Sequence, residues 1–185
     1  MHIHQKALQA PTGQTTIIGT DLMRQAIEGS RLSPRKRVIL PLHKTPQASL
    51  HRMLNAIQPS SYIRPHRHLY PPKPEALLVL QGSILCLVFA LLGNVQESTI
   101  LTAGSCEFGF DCEPGVYHTF LALCPDTVVF EAKPGPYEPA TDKDFAPWAP
   151  AEDSDAAENY LASLYLLEKS TNAATRQRPP GKLDD

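Results

Sequence analysis

The chain has 185 residues, 17 Lys and Arg against 19 Asp and Glu, a formal net charge of −2, and 42% hydrophobic residues. This is one domain's worth of chain, too apolar to be disordered throughout and too near neutral to hold nucleic acid through a strong phosphate field. Proline is the outlier at 18 residues beside only 10 Gly, with no Gly-X-Y period; collagen is excluded, and many short elements joined by turns are favoured, which points to an all-β fold.

Residues 1 to 18 are mixed and polar and are expected to be loosely held. They lack the apolar stretch of a signal peptide, which predicts a cytoplasmic location. The His2–His4 pair in this terminus is read as chance. Asp21 to Gly29 places Leu22, Met23, Ala26 and Ile27 at helical spacing. Thr20 is its candidate N-cap, and Gly29 stands near its end. The four basic residues from Arg31 to Arg37 read as a solvated face.

From Arg37 the pattern changes to β-rich runs: Arg37 to His43, Leu50 to Gln58, Ala76 to Gln81, Ile84 to Leu91, Val95 to Leu101, Tyr117 to Cys124 and Thr127 to Lys133. Turn signals separate them, among them Gly82-Ser83, Gly93-Asn94 and Pro114-Gly115. Short strands at this spacing predict a sandwich or barrel, and no strand–helix alternation argues for a parallel sheet. The longest pure apolar run, Ile84 to Leu92, has nine residues. A membrane-crossing helix needs about 20, so no membrane span is expected. Cys86, Cys106, Cys112 and Cys124 form no CxxC pair and are read as four buried thiols of a reducing compartment.

The Pro-rich stretch from Pro134 to Pro150 cannot be regular structure. It carries Phe145 and the only tryptophan, Trp148, and is expected to pack as an extended arm across the domain. A helix is predicted from Ser154 or Asp155 to Lys169, with Ala157, Tyr160, Leu161, Leu164 and Leu167 as its apolar stripe. Residues 170 to 185 are expected to be disordered.

The segment with chemical content runs from Ser60 to Gly82. Side chains at i and i+2 of a strand share a face, so His66 and His68 can present two imidazoles to one point. A following turn can return Glu75 on the adjacent strand. About fifty residues later, Pro114-Gly115-Val-Tyr-His118 has a tight turn launching a strand that bears a third imidazole. Three imidazoles and a carboxylate suit Fe, Mn, Ni, Co, Cu or Zn rather than Ca or Mg. Alone, each piece has a plainer reading: an HxH pair by chance, a solvated turn glutamate, a half-buried histidine. Their order and spacing in a β-rich chain make the metal reading the stronger one.

That joint pattern, HxH–Glu–x6–Gly and then PGxxH, resembles the two motifs of the cupin superfamily. The resemblance goes further: PRKR at 34–37, LH at 42–43, HRMLNAIQP at 51–59, YIRPHRH at 62–68, KPE at 73–75, EPGVYHT at 113–119 and KPGPY…DKDFAPWAP at 133–150. In that order they are similar to the cupin fold metalloprotein family called WbuC, found in bacterial clusters for O-antigen and capsule synthesis, over roughly residues 20 to 168. The resemblance implies an all-β, RmlC-like cupin jelly-roll barrel with a short N-terminal helix and a C-terminal helix. It also implies one bound divalent transition metal on His66, His68, Glu75 and His118, a cytoplasmic setting and no firmly assigned reaction. The chain departs from the general cupin pattern in four places. Ser60 stands where Gly is usual, six residues separate His68 from Glu75 where three or four are usual, Glu113 replaces a Pro, and Ala122 replaces an Asn.

Arg52, Asn55, Arg64, Tyr117 and Glu131 are candidate pocket residues, and His43 is another. The leading reading is a metal-dependent isomerase or epimerase acting on a sugar or nucleotide-sugar, with Arg64 or the 34–37 basic run holding a phosphate. The alternatives are an Fe(II)-dependent dioxygenase and a non-catalytic metal- or sugar-binding module. The expected partners are a small-molecule ligand and a second copy in a homodimer, with no nucleic acid and no membrane.

Overall fold

The computed structural model describes residues 7–175, so the His2–His4 pair lies outside the described residues. The described chain opens with helix α1 (Thr20–Leu32) and continues with β1 (Arg37–Pro41), β2 (Leu50–Ile57), β3 (His66–Arg67), β4 (Glu75–Gln81) and β5 (Ser83–Phe89). Then come β6 (Val95–Thr102), β7 (Gly109–Cys112), β8 (Tyr117–Ala122), β9 (Thr127–Pro134), β10 (Asp144–Phe145) and helix α2 (Ala156–Thr175). The strands form two five-stranded antiparallel sheets, ordered β1-β2-β9-β4-β7 and β10-β3-β8-β5-β6. This is the all-β, two-sheet architecture that the sequence predicts, with a helix packed outside each sheet.

Three apolar layers follow from the alternation of side chains along the strands. Between the sheets lie Ile57, Leu77, Val79, Ile84, Cys86, Phe120, Ala122 and Val129. Outside the first sheet, Leu54, Ala56 and Val128 pack on Ala26 and Ile27 of α1. Outside the second, Leu85, Leu87, Phe89 and Leu121 pack on Ala157, Leu161 and Leu164 of α2. With both faces covered, β8 is buried at every position and β5 at all but its first. The β4–β5 turn needs Gly82 on two counts: its φ is 79°, and an added Cβ would stand 2.5 Å from Thr127 Oγ1.

The seven strands expected from the sequence are present. The other three, β3, β7 and β10, span two, four and two residues, too few to show a period of two. α1 starts from Gly19 as its N-cap, not Thr20, and runs through Gly29 to Leu32. Gly29 serves packing rather than termination, because a Cβ there would stand 3.1 Å from Val38 Cγ1. α2 continues to Thr175, six residues past the expected end, so the tail expected to be disordered begins as helix; its remainder lies outside the described residues. The N-terminal segment is tied down where it becomes visible: Leu8 N–H donates to Ile39 O at 2.7 Å, alongside the β1 edge.

The Pro-rich arm lies across the second sheet as expected, although it contains β10. Ala146 N–H donates to Pro65 O, and Trp148 packs on Phe89 with its indole N–H donating to Leu91 O at 3.1 Å. Two expectations need correction. Cys106 is exposed and Cys124 half-buried, because they sit in turns at the strand ends; only Cys86 and Cys112 are buried. The 31–37 basic run is not a free solvated face either. Arg31 pairs with Asp126, and Arg35 and Arg37 converge on Glu152. No helix among the described residues is long and apolar enough to cross a membrane.

Candidate metal centre

His66, His68, Glu75 and His118 meet between the sheets, with one potential ligand atom from each lying within 4.8 Å of the others. All four are 2–3% exposed. The second sheet supplies the imidazoles: β3 carries His66, His68 follows it, and β8 pairs His118 directly with His66. The first sheet supplies Glu75 at the start of β4, opposite Cys112 of β7. The longer loop after His68 does return the carboxylate. It closes on itself through a Leu69–Pro72 bridge, and Gly115 N–H of the Pro-Gly turn donates to His68 O at 3.1 Å, joining the two motifs. Gly115 holds a φ of 83° in that turn, a conformation that favours glycine.

Each imidazole is oriented by a backbone carbonyl. His66 Nδ1 bonds Arg64 O at 3.0 Å, His118 Nδ1 bonds Val116 O at 3.0 Å, and His68 Nδ1 bonds Asp142 O. A carbonyl can only accept, so Nδ1 is the protonated nitrogen in all three rings, and Nε2 is left for the centre. This is the outer-shell arrangement that orients histidine ligands at metal sites. His68 Nε2 lies 2.8 Å from Glu75 Oε2. His118 Nε2 is buried with no hydrogen-bond partner; Glu75 Oε1 at 3.7 Å makes only an ion-pair contact. An orphaned buried nitrogen costs free energy, and a cation among these four groups would satisfy it. The donor set therefore fits a divalent transition metal.

The electrostatics are those of a crowded buried cluster. Burial alone would raise the Glu75 carboxyl, but the neighbouring His118 and His68 rings and the Lys133 ammonium hold it well below the usual carboxylate range. Burial disfavours the His118 imidazolium, yet Cys112 and Glu75 push it up to about 10. Burial, then Lys143 and His118, lowers His66. Beside Glu75 lies a second buried layer. Lys133 Nζ stands 3.3 Å from Glu131, 3.3 Å from Asp142 and 3.8 Å from Glu75, and Lys73 Nζ stands 3.6 Å from Asp142. Asn55 Nδ2 donates to Glu131.

The pocket candidates divide. Asn55 and Glu131 point between the sheets and join the Lys133 layer. Arg52 is exposed, because it falls on the opposite face of β2 from Asn55. Tyr117 is buried but faces outward, one residue out of phase with His118; its ring packs on Trp148 and lies 4.5 Å beneath the Arg67 guanidinium. His43 stacks on His51 with ring centroids 4.0 Å apart and takes no part in the cluster. Arg64 lies at the rim, donating to Ala146 O at 2.8 Å with its guanidinium 5.3 Å from the Phe145 ring. Residue-level reasoning missed Lys133 and Asp142, which meet the centre, and Lys73, which pairs with Asp142. The signal for Asp142 was the DKDF stretch, which the β10–β3 pairing brings beside the HxH segment. The sandwich also gapes between edge strands β6 and β7, where a cleft of ≈ 580 Å³ is lined by Leu77, Leu78, Leu101 and Phe110. Phe110 stands between this cleft and His118, with ring centroids 6.2 Å apart.

A family model described as a domain of unknown function (DUF6016) matches residues 18–101. No curated protein matches the sequence. Among solved structures, KdgF from Halomonas sp. is 20% identical with a TM-score of 0.45, over 58% of this chain and 85% of its own. L-ribose isomerase from Cellulomonas parahominis is 18% identical with a TM-score of 0.46, over 67% of this chain and 71% of its own. Oxalate decarboxylase from Bacillus subtilis is 15% identical with a TM-score of 0.42, over 50% of this chain and 23% of its own. The chain is an all-β protein of two five-stranded antiparallel sheets with a buried three-histidine, one-glutamate cluster between them.

Proposed function

We propose that this protein is a metal-dependent cupin of the WbuC type that acts on a sugar or nucleotide-sugar in surface-polysaccharide metabolism, in the cytoplasm, by an isomerase or epimerase step. The observation that carries the metal reading is the orientation of the three rings. Three backbone carbonyls take the three Nδ1 protons and leave three Nε2 atoms beside one carboxylate. The sugar class and the polysaccharide setting rest on the motif resemblance, from PRKR at 34–37 through DKDFAPWAP at 142–150.

His66, His68, Glu75 and His118 would hold the ion. A divalent transition metal there supplies Lewis acidity, polarising a carbonyl or binding vicinal oxygens. The chain's own groups prepare the place. Lys133 balances Glu75 and Glu131, so a carboxylate persists at the centre despite burial. Ile63, Leu77 and Phe120 belong to the apolar layer between the sheets, which keeps water from that side. The phosphate role expected of the 34–37 run has little support, since Arg35 and Arg37 are already paired with Glu152. A homodimer is part of the reading, because β6 and β7 are edge strands and uncovered edges invite pairing.

The test is metal content by mass spectrometry on untagged protein, beside His66→Ala and His118→Ala. About one equivalent in the wild type, lost in both variants, is the expected result; unchanged metal in both would overturn the site. A nucleotide-sugar isomerisation screen then tests the reaction, and turnover that requires oxygen would replace it with oxygenase chemistry. Sedimentation at micromolar concentration tests the dimer.

A further inference from the structure

Lys133 reaches the cluster from the first sheet. Along the second half of β9, Glu131 and Lys133 are buried while Phe130, Ala132 and Pro134 between and beside them are not. A buried ammonium needs partners, and the fold supplies three carboxylates. Glu131 Oε1 and Asp142 Oδ2 each lie 3.3 Å from Lys133 Nζ, and Glu75 Oε2 lies 3.8 Å from it. The first two are themselves held in place. Asn55 Nδ2 donates to Glu131. Lys73 Nζ stands 3.6 Å from Asp142 Oδ1 and donates to Pro136 O at 2.7 Å. Lys133 is therefore fixed by the fold and does not follow the Glu75 carboxylate.

The two oxygens of that carboxylate are placed differently. Oε2 faces the Lys133 ammonium and lies 2.8 Å from His68 Nε2. Oε1 faces His118 Nε2 at 3.7 Å, and that nitrogen is the orphaned one. A cation that satisfies His118 Nε2 meets Oε1. A second bond from the same cation to Oε2 would bring it toward a fixed ammonium, and like charges at such range repel strongly in a buried site. Three imidazoles and one carboxylate oxygen make four protein donors. A fifth, from the second oxygen, would fill a position that a catalytic ion keeps for its ligand.

We propose that Lys133 is a positioning residue that restricts Glu75 to ligation through Oε1 and so keeps one coordination position of the metal open. The inference rests on the metal reading above and adds how the carboxylate binds. It also gives the Pro-rich arm a part in the centre. Asp142 orients His68 with its carbonyl and holds Lys133 with its carboxylate, so one residue of the arm directs two of the ligands.

The test loads the full-length protein with Co(II), whose visible bands weaken as its coordination number rises. Azide is the probe of the open position. The variant combines Lys133→Met with Glu131→Gln, which removes one charge of each sign and leaves Asp142 paired with Lys73. Glu131→Gln alone keeps Lys133 and is the control. The wild type and the control should show the same strong bands, perturbed by azide. The double variant should take up the same amount of Co(II), show weaker bands, and bind azide about tenfold less tightly, the scale on which outer groups tune a metal site. Bands and azide affinity unchanged at full Co(II) content would overturn the positioning role, leaving Lys133 as charge balance alone. Should the double variant not fold, the crystal structure of the Co(II)-loaded wild type decides. Oε1 alone on the ion is the expected result, and both Glu75 oxygens on it would overturn the proposal. Failure of the wild type to take up Co(II) would overturn the metal reading and this one with it.

Discussion

Ser60 shows how one residue can sit against its own preference. It holds a φ of 71°, the left-handed region, in the turn that leads from β2 to the HxH segment. The motif that this segment resembles has glycine at this place, and the backbone angle supplies a reason for it. A non-glycine residue there costs about 1 kcal/mol, partly offset by the extra unfolded-state freedom that glycine brings. Ser60 is exposed and its side chain is no part of the centre. Ser60→Gly should therefore stabilise the protein by about 0.5 kcal/mol, read as a higher urea midpoint with an unchanged slope. A lower midpoint would mean the serine side chain contributes more than its backbone costs. At this same scale the candidate quartet was legible: i, i+2 spacing paired His66 with His68, and the order of the two motifs added Glu75 and His118. Their charged neighbours were not, because a lysine in a sequence carries no mark of facing inward.

Glu152 plays the corresponding part among the elements. Its carboxylate accepts from Arg37 Nη2 at 2.6 Å, lies 3.5 Å from Arg35 and accepts from Arg64 N–H at 3.3 Å. It thus clamps the end of the Pro-rich arm to β1 and to the approach of β3. Burial alone would raise its carboxyl, but Arg37 holds it below the usual carboxylate range. A depressed folded-state value means the contribution is present above the unfolded value of 4.5 and is lost as pH falls through the folded one. Glu152→Gln should cost about 1–2 kcal/mol at neutral pH, discounted because the side chain is about a third exposed. The variant should also lose less stability than the wild type between pH 5 and about pH 3. Parallel stability–pH curves would show that the clamp is energetically idle. Trp148 holds the arm further along, and Trp148→Ala should lower stability by about 2 kcal/mol, measured by thermal unfolding. Strand and helix positions were largely readable from period and turn residues. The three shortest strands were not, since pairing with β8, β4 and β3 creates them.

Across the whole molecule, three separate apolar layers hold the sheets and helices together, and the three-histidine, one-glutamate cluster belongs to none of them. Removal of the metal should therefore leave the protein folded. Binding to the native state alone adds stability by mass action, about 2.7 kcal/mol at a hundredfold excess over Kd. For a chain of this size, that is roughly a 5–10 °C rise in Tm. Chelation should thus lower Tm by that amount with the far-UV circular dichroism unchanged at 25 °C. Unfolding on chelation would make the metal a staple of the fold.

The sequence by itself determined the all-β class, seven of the strands, both helices and the identity of the metal-ligand candidates. Those follow from local rules: side-chain period, turn chemistry and donor type. Only the tertiary structure decided which faces turn inward. It put Tyr117 and Arg52 outside and Asn55 and Glu131 inside, and it brought Lys133 and the DKDF segment to the centre from β9 and from the arm. A one-residue phase shift reverses the face on which a side chain stands. That phase is set by pairing between strands distant in sequence, which no local pattern records.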